Sequence, residues 1–164
     1  MNSAKRPYLD KSHPETYKAM VKVAAESRKA TQAAGLDDAL IELLNTRVSQ
    51  INGCARCLST HAPAARKAGV PARKIDLLPA WREIEDLFTD VERAGLHLAE
   101  SLALLGESSD RGRAAEIAAD VLSTEQISAI EWSVILINSF NRLSIASGHP
   151  PSEKSYAAEE KGAS

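Results

Sequence analysis

The residues with the most evident chemistry are two cysteines and one histidine that lie close together in the chain. Cys54 and Cys57 form a C-x-x-C motif, and His61 follows Cys57 by four residues. On a helix, Cys57 lies about 60° from Cys54 and His61 lies within about 20° of Cys54, so the three side chains share one face. Cysteines at i and i+3 have Cα atoms roughly 5 Å apart, which allows a disulfide. The motif therefore predicts a dithiol–disulfide site.

Two features of the predicted helix favour a reactive thiol. A thiol attacks as a thiolate, and both a helix N-terminus and a nearby imidazole lower thiol pKa values. Cys54 lies nearer to the predicted N-terminus, whereas Cys57 and His61 stand at i and i+4, where helical side chains meet. This reasoning leaves open which of the two thiols attacks.

The motif has three other interpretations. Buried cysteines are often inert packing residues. Zinc is a second alternative, but a structural zinc site has ligands from a distant second segment, and the remaining histidines are scattered at positions 13, 97 and 149. A thioredoxin-like domain requires a strand before the motif, and no alternating strand pattern precedes it. A redox site with neither metal nor organic cofactor is the prediction.

The elements that must hold these residues are predicted to be helices. A capping box of Ser12 and Glu15 opens a helix to about Ala33. Asp37 or Asp38 caps the next, which carries an apolar stripe and ends at Asn52-Gly53. The stripe consists of Leu40, Leu44, Val48 and Ile51. The cysteine helix then runs to Lys67 or Ala68, with Gly69 as its left-handed cap and Pro71 opening a short helix.

The second half of the chain contains further helix caps and apolar stripes. Trp81 and Phe88 are expected to anchor a connecting turn or short helix. A capping box of Thr89 and Glu92 opens a helix with Leu96, Ala99, Ala103 and Leu104 on one stripe, ended by Gly106. A polar loop over 107–112 and a short helix over 113–122 follow. Ser123 caps a long apolar helix to about Ser147, which is either central or partly a subunit interface.

Composition limits the class of protein. The chain has 164 residues and a formal net charge of −2, which disfavours general nucleic-acid binding. No apolar run approaches the ~18 residues of a membrane span, and the N-terminus does not resemble a secretory signal, so a cytoplasmic location is expected. The prediction is an all-α protein with a single domain of about seven helices over 14–147, an N-terminal extension over 1–13 and a flexible tail over 148–164.

One segment resembles a known family. Residues 42–61 read ELLNTRVSQINGCARCLSTH, in which eleven residues separate Glu42 from the C-x-x-C-x-x-x-H motif and Asn-Gly stands just before Cys54. This sequence pattern is similar to that of the alkylhydroperoxidase D-type branch of the carboxymuconolactone decarboxylase family. The blocks WRE at 81–83, FTDVER at 88–93 and INSFNR at 137–142 are similar to the same branch.

The resemblance implies a helical, homo-oligomeric antioxidant enzyme that reduces hydroperoxides and is re-reduced by a dithiol donor such as a lipoyl-bearing protein. By position, Cys57 would attack the peroxide, Cys54 would resolve the intermediate, and His61 and Glu42 would relay protons. Helical geometry alone leaves a second interpretation of Glu42 as a solvated helix residue, because it lies about 200° around the helix from Leu40 and Leu44 of the apolar stripe.

One position departs from the pattern. Arg56 stands where relatives often carry histidine or an aromatic residue. Because arginine is not a practical proton carrier, its role is open between thiolate stabilisation and a surface contact.

Two other functions are alternatives to the peroxidase. One is a lactone decarboxylase like the namesake of the family, which does not depend on a cysteine pair, and the other is a redox-sensing module without turnover.

Overall fold

The cysteine motif is held by a helical scaffold. The computed structural model describes residues 6–106, 110–153 and 156, and in this part of the chain it contains eight α-helices, one 3₁₀ helix and no strand. The predicted all-α class is confirmed. The helices are α1 (Leu9–Ser12), α2 (Pro14–Ala33), α3 (Asp38–Ile51), α4 (Ala55–Lys67), α5 (Ala72–Leu77), α6 (Asp90–Ala103), α7 (Arg111–Ala119) and α8 (Thr124–Ser147), with the 3₁₀ helix at Leu78–Glu83.

Helix α3 forms where its sequence pattern predicts a helix. The Asp37 side chain accepts a hydrogen bond from the Leu40 amide and so caps the helix. Leu40, Leu44 and Val48 of the predicted stripe are buried in the core. The helix ends at Asn52, and Gly53 follows with a φ of +64°, a left-handed conformation that favours glycine.

Helix α4 carries the cysteines and is also predicted correctly. Cys54 is its N-cap residue, and Gly69 follows its end with a φ of +102°. Burial of Trp81 and Phe88 confirms that these two rings anchor the segment after α5. In this middle part of the chain, local signals therefore predict α4 and both of its ends.

Helix α8 packs against α2, α3, α4 and α6, which accounts for its apolar composition. Ser123 and Gln126 form the predicted capping box at its start. Ile130 and Val134 are fully buried, whereas Trp132 and Ile135 are about half exposed. The helix is therefore central and also leaves an apolar strip uncovered. None of the described helices combines the length and apolar content that a membrane span requires.

A cluster of asparagine side chains joins the turn before Cys54 to α8. The Asn52 side-chain amide donates to Oδ1 of both Asn138 and Asn141, at 2.8 Å in each case. Asn141 is fully buried, and its amide donates in turn to Ser49 Oγ at 3.1 Å. Because buried polar groups stabilise a fold only when they are paired, these bonds fix the position of the turn on α8.

A second buried polar cluster surrounds Glu100 on α6. Its carboxylate accepts hydrogen bonds from Arg47 Nε at 2.6 Å, from Trp81 Nε1 at 2.8 Å and from Arg82. Burial alone would raise the pKa of Glu100, but the hydrogen bonds from Trp81, Arg82 and Arg47 outweigh it and lower that pKa below its usual value. The cluster joins α3, α6 and the 3₁₀ helix through one carboxylate.

The beginning of the chain differs from the prediction. Ser12 lies at the end of the short helix α1, and the N-cap residue of α2 is His13, whose side chain makes no capping bond. The proposed capping box of Ser12 and Glu15 is therefore wrong. Pro14 is the reason, because a proline excludes its preceding residue from helical conformation and itself suits the first helical position.

The region around α7 also needs correction. Helix α6 ends at Ala103 instead of Gly106, and Leu104 has left the helical conformation and is about half exposed rather than part of the buried stripe. Residues 107–109 of the expected loop lie outside the described residues. Asp110 caps α7 by accepting from the Arg113 amide, so this helix includes residues 111 and 112 and ends at Ala119 instead of Leu122.

We expect Glu100→Gln to destabilise the protein by an amount on the order of 3 kcal/mol at neutral pH, because Arg47 would lose its buried partner. The stabilisation by the Glu100 charge is complete above the ordinary carboxyl pKa of 4.5 and is lost as the pH falls through the lower pKa of the folded state. Urea unfolding between pH 3 and pH 7 should therefore show a flatter pH dependence for Glu100→Gln than for the wild type.

The control for this measurement is Glu116→Gln, since the Glu116 side chain is mostly exposed and pairs only at the surface with Arg113. This control should unfold like the wild type at each pH. Equal pH dependence of Glu100→Gln and the wild type would contradict the role given to the carboxylate.

Candidate active site

The two cysteines form an intramolecular disulfide at the N-terminus of α4. Their Cα atoms are 5.3 Å apart, in agreement with the distance expected from helical spacing. Cys54 Sγ also accepts a hydrogen bond from the Cys57 amide at 3.3 Å, so the sulfur caps the helix. Both residues are buried, with Cys54 1% and Cys57 6% exposed. Of the two sulfur-bearing residues, Cys57 is the more accessible.

His61 and Glu42 lie in direct contact, although they belong to different helices. His61 Nδ1 is 2.7 Å from Glu42 Oε2, and the two side chains are 22% and 11% exposed. Glu42 as a whole residue is 8% exposed, so it is not the solvated helix residue of the alternative interpretation. A carboxylate in this position accepts from Nδ1–H and fixes the tautomer of the ring, which leaves Nε2 free to take a proton.

Arg56 points away from this arrangement. It is exposed, and its guanidinium donates to the carbonyl oxygen of Pro150 at 3.5 Å. Ser59, one turn further along α4, accepts from the Ser152 amide at 2.6 Å. The segment after α8 therefore lies against the outer side of α4 up to Ser152. Most of the tail that was expected to be flexible, residues 154–155 and 157–164, lies outside the described residues.

A cavity of about 170 Å³ adjoins the Glu42–His61 pair on the side of α2 and α8. Apolar side chains form much of its wall, and Asn45 lies in it one turn after Glu42 on α3. Asn45 is 8% exposed, and its Oδ1 atom has no hydrogen-bond partner among the described residues. The lining residues are Ala24, Ser27, Arg28, Thr31, Ile41, Glu42, Asn45, His61, Ser133, Leu136, Ile137 and Phe140.

The structure brings together the residues that the sequence singled out, but it adds a neighbour that the sequence analysis missed. Cys54, Cys57 and His61 lie on one helix, and Glu42 meets His61 from α3. Asn45 was not predicted because an asparagine side chain has no evident reactivity. Its spacing of three from Glu42 was the available signal, since residues at i and i+3 share a helix face. In the described part of the chain, no group of three or more histidine, cysteine or acidic residues is arranged to hold a metal ion.

Sequence comparison places these residues in a family. The model of the Carboxymuconolactone decarboxylase family matches residues 14–101, which include Glu42, both cysteines and His61. The uncharacterised protein YdfG of Bacillus subtilis (strain 168) is 32% identical over 134 residues, which cover 82% of this chain and 90% of YdfG. The alkyl hydroperoxide reductase AhpD of Bradyrhizobium sp. (strain ORS 278) is 35% identical over 66 residues, which cover 40% of this chain and 36% of AhpD.

Comparison with solved structures agrees with the sequence comparison. A crystal structure from Agrobacterium tumefaciens, of a protein of unknown function suggested to be an antioxidant defence protein AhpD, superimposes with a TM-score of 0.79 and 29% identity over 91% of this chain and 99% of that one. The debrominase Bmp8, solved with 2,3,4-tribromopyrrole, shares the fold at a TM-score of 0.73 and 18% identity, over 92% of this chain and 78% of its own. This chain belongs to the carboxymuconolactone decarboxylase family, with AhpD proteins among its relatives.

Proposed function

We propose that this protein is a thiol-dependent peroxidase that reduces hydroperoxides through a Cys54/Cys57 dithiol–disulfide cycle. The observation that carries the proposal is the 2.7 Å contact between His61 and Glu42 beside a cysteine pair at a helix N-terminus. A base held by a carboxylate next to a thiol is the arrangement that generates a thiolate near neutral pH. The AhpD relatives support the same chemistry.

In the oxidative half of the cycle, the Cys57 thiolate attacks the terminal oxygen of the hydroperoxide. An S–O bond forms, the O–O bond breaks, and the alkoxide takes a proton from protonated His61, which gives an alcohol and a sulfenic acid on Cys57. The Cys54 thiol then attacks the Cys57 sulfur and expels water. The product is the disulfide seen in this structure.

His61 supplies and recovers the proton, and Glu42 keeps His61 in position. With Glu42 bound to Nδ1, the Nε2 atom takes the thiol proton directly or through one water molecule. The carboxylate also stabilises the imidazolium that forms. We assign the attacking role to Cys57 because it is more exposed than Cys54 and lies one turn before His61 on the same helix.

A dithiol donor completes the cycle by thiol–disulfide exchange. The donor thiolate attacks one sulfur of the Cys54–Cys57 bond, and its second thiol then releases the mixed disulfide. A lipoyl-bearing protein has the required dithiol and a flexible arm to reach a nearly buried bond. We place this cycle in the cytosol, where reduced dithiols are maintained. Neither a metal nor an organic cofactor takes part.

We expect the two single cysteine variants to differ in kind. Cys57→Ser should not react with peroxide, whereas Cys54→Ser should react once and stop as a sulfenic acid, because no second thiol remains to close the disulfide. Mass spectrometry after one equivalent of peroxide measures this directly. The wild type should lose two hydrogens, and Cys54→Ser should gain one oxygen.

The opposite pattern, with Cys54→Ser inert and a sulfenic acid on Cys54 in Cys57→Ser, would reverse the two roles. A steady-state assay with peroxide and a dithiol separates the proposed enzyme from its alternatives. A redox sensor would oxidise once without turnover. A lactone decarboxylase would remain active with both cysteines replaced by serine.

Another prediction concerns the proton relay. We expect His61→Ala and Glu42→Gln to slow oxidation of the reduced protein by a factor of about 10² or more, which is the range of general-base catalysis. Raising the pH toward the ordinary thiol pKa of about 8.5 should recover part of the loss, because hydroxide then supplies the thiolate. Stopped-flow measurements from pH 6 to pH 9 would show this recovery.

His13→Ala and Glu116→Gln are the matched controls, since both side chains are exposed and lie outside the site. Both should keep the rate of the wild type at every pH. A loss that is equal at all pH values in His61→Ala would argue for a structural role of His61 and against its role as a base.

We further propose that the protein forms a homo-oligomer. Trp132 and Ile135 lie three residues apart on α8 and are 53% and 46% exposed, an unusual exposure for two large apolar side chains on one strip. Sedimentation at micromolar concentration should give a mass well above 17.6 kDa. Trp132→Lys should shift the distribution toward the monomer, and a monomeric wild type would contradict this proposal.

A further inference from the structure

Cys54 belongs to the ends of two helices at once. Its backbone N–H donates to the carbonyl oxygen of Ser49 at 3.0 Å, and the N–H of Gly53 donates to the carbonyl oxygen of Gln50 at 3.2 Å. With Gly53 in the left-handed conformation, these two bonds form a Schellman motif that closes α3. The Cys54 sulfur also accepts from the Cys57 amide and caps α4. The end of α3 therefore fixes the backbone from which the Cys54 side chain projects.

One residue of α8 holds both sides of this motif. Asn141 donates from its side-chain amide to Ser49 Oγ at 3.1 Å, and its Oδ1 atom accepts from the Asn52 amide at 2.8 Å. Ser49 and Asn141 are fully buried, and Cys54 is almost fully buried. Buried polar bonds that are completely paired restrict a segment to one arrangement. Asn141 therefore restrains the segment 49–54 from outside the cysteine motif.

This restraint matters most when the cysteines are reduced. In the disulfide form, a covalent bond holds Cys54 beside Cys57. In the dithiol form that bond is absent, so the freedom of the Cys54 thiol depends on the hydrogen bonds of its own segment. A reacting group that is held in place has a higher effective concentration beside its partner than a mobile one. Restraint of the segment 49–54 therefore favours closure of the disulfide.

We propose that Asn141 and Ser49 are positioning residues for Cys54, and that they set the rate at which Cys54 closes the disulfide and the equilibrium between dithiol and disulfide. The rate rests on the peroxidase function proposed above, whereas the equilibrium needs no peroxide. In closure, the Cys54 sulfur attacks the sulfur of the Cys57 sulfenic acid, the S–S bond forms and the S–O bond breaks. The hydroxide leaves as water with the Cys54 proton, so the thiol is oxidised and the sulfenic sulfur is reduced to the same disulfide.

The test uses two serine variants. Ser49→Ala removes the bond from Asn141 and keeps both bonds of Asn52 to α8, so the turn stays in register. Ser101→Ala is the matched control, because it removes another buried hydroxyl, which bonds to the Leu98 carbonyl oxygen of its own helix. Both variants and the wild type are equilibrated with mixtures of reduced and oxidised dithiothreitol. Mass spectrometry after alkylation of the thiols gives the disulfide fraction.

We expect Ser49→Ala to lower the equilibrium constant for disulfide formation about fivefold, which is within the range of one neutral hydrogen bond. This change raises the reduction potential of the cysteine pair by about 20 mV. Ser101→Ala should keep the equilibrium constant of the wild type. Asn141→Ala should act in the same direction as Ser49→Ala and more strongly, because it also removes one of the two bonds of Asn52.

A pulse of peroxide in the presence of dimedone, which reacts with sulfenic acids, separates closure from attack. Ser49→Ala should consume the first equivalent of peroxide at the rate of the wild type, because Cys57 and the contact between His61 and Glu42 are unchanged. The fraction of protein trapped by dimedone on Cys57 should rise about fivefold, because closure is slower. A purely structural role of Ser49 would lower the melting temperature but leave the trapped fraction and the equilibrium constant unchanged. That result would overturn the proposal and leave the peroxidase intact.

Hydrogen exchange of the wild type decides the proposal even if Ser49→Ala fails to fold. The Cys54 amide of the reduced protein should be protected nearly as well as in the disulfide form, since it stays bonded to the Ser49 carbonyl oxygen. Rapid exchange of this amide after reduction would show that the segment is mobile without the disulfide and would overturn the proposal. A reduced protein that consumes no peroxide would refute the peroxidase, and the dithiothreitol equilibrium and the amide exchange would still decide the positioning role.

Discussion

The site depends on how the turn between α3 and α4 is held. Asn52 donates to two buried carbonyl oxygens of α8, and Gly53 adopts the left-handed conformation that reverses the chain. This turn sets the angle and register of α4 relative to α3. Only with that register do His61 and Glu42, nineteen residues apart, come within 2.7 Å of each other. The position of the proposed base therefore follows from an amide that takes no part in the chemistry.

Much of the fold could be predicted because its helices carry strong local signals. Asp37, the Thr89–Glu92 box and the Ser123–Gln126 box cap helices where the sequence placed them. The failures have local causes as well. Pro14 displaces the cap expected at Ser12, and Asp110 starts α7 inside a segment whose polarity suggested a loop. A polar stretch is a weaker guide than a capping side chain, because exposed helices are also polar.

The candidate site also contains residues that could be predicted from the sequence and residues that could not. Cys54, Cys57 and His61 could be predicted to meet because helical geometry relates residues three and four positions apart. Glu42 required the family resemblance, since its place on α3 gives no hint of the neighbouring helix. The bonds around Glu100 could not be predicted, because they depend on contacts between helices that are distant in sequence. Local rules find the elements, and the packing of those elements decides which polar groups are paired.

That pairing shows which buried polar groups hold the helices together. Glu100 accepts hydrogen bonds from three donors of its own chain, and the Asn141 amide accepts one hydrogen bond and donates another, so both groups are paired within the protein. Asn45 is also buried, but its Oδ1 atom has no hydrogen-bond partner among the described residues. A fold that satisfies its buried polar groups elsewhere gains nothing in stability from this exception. The paired groups therefore belong to the scaffold, since their hydrogen bonds join the helices that hold the Glu42–His61 pair.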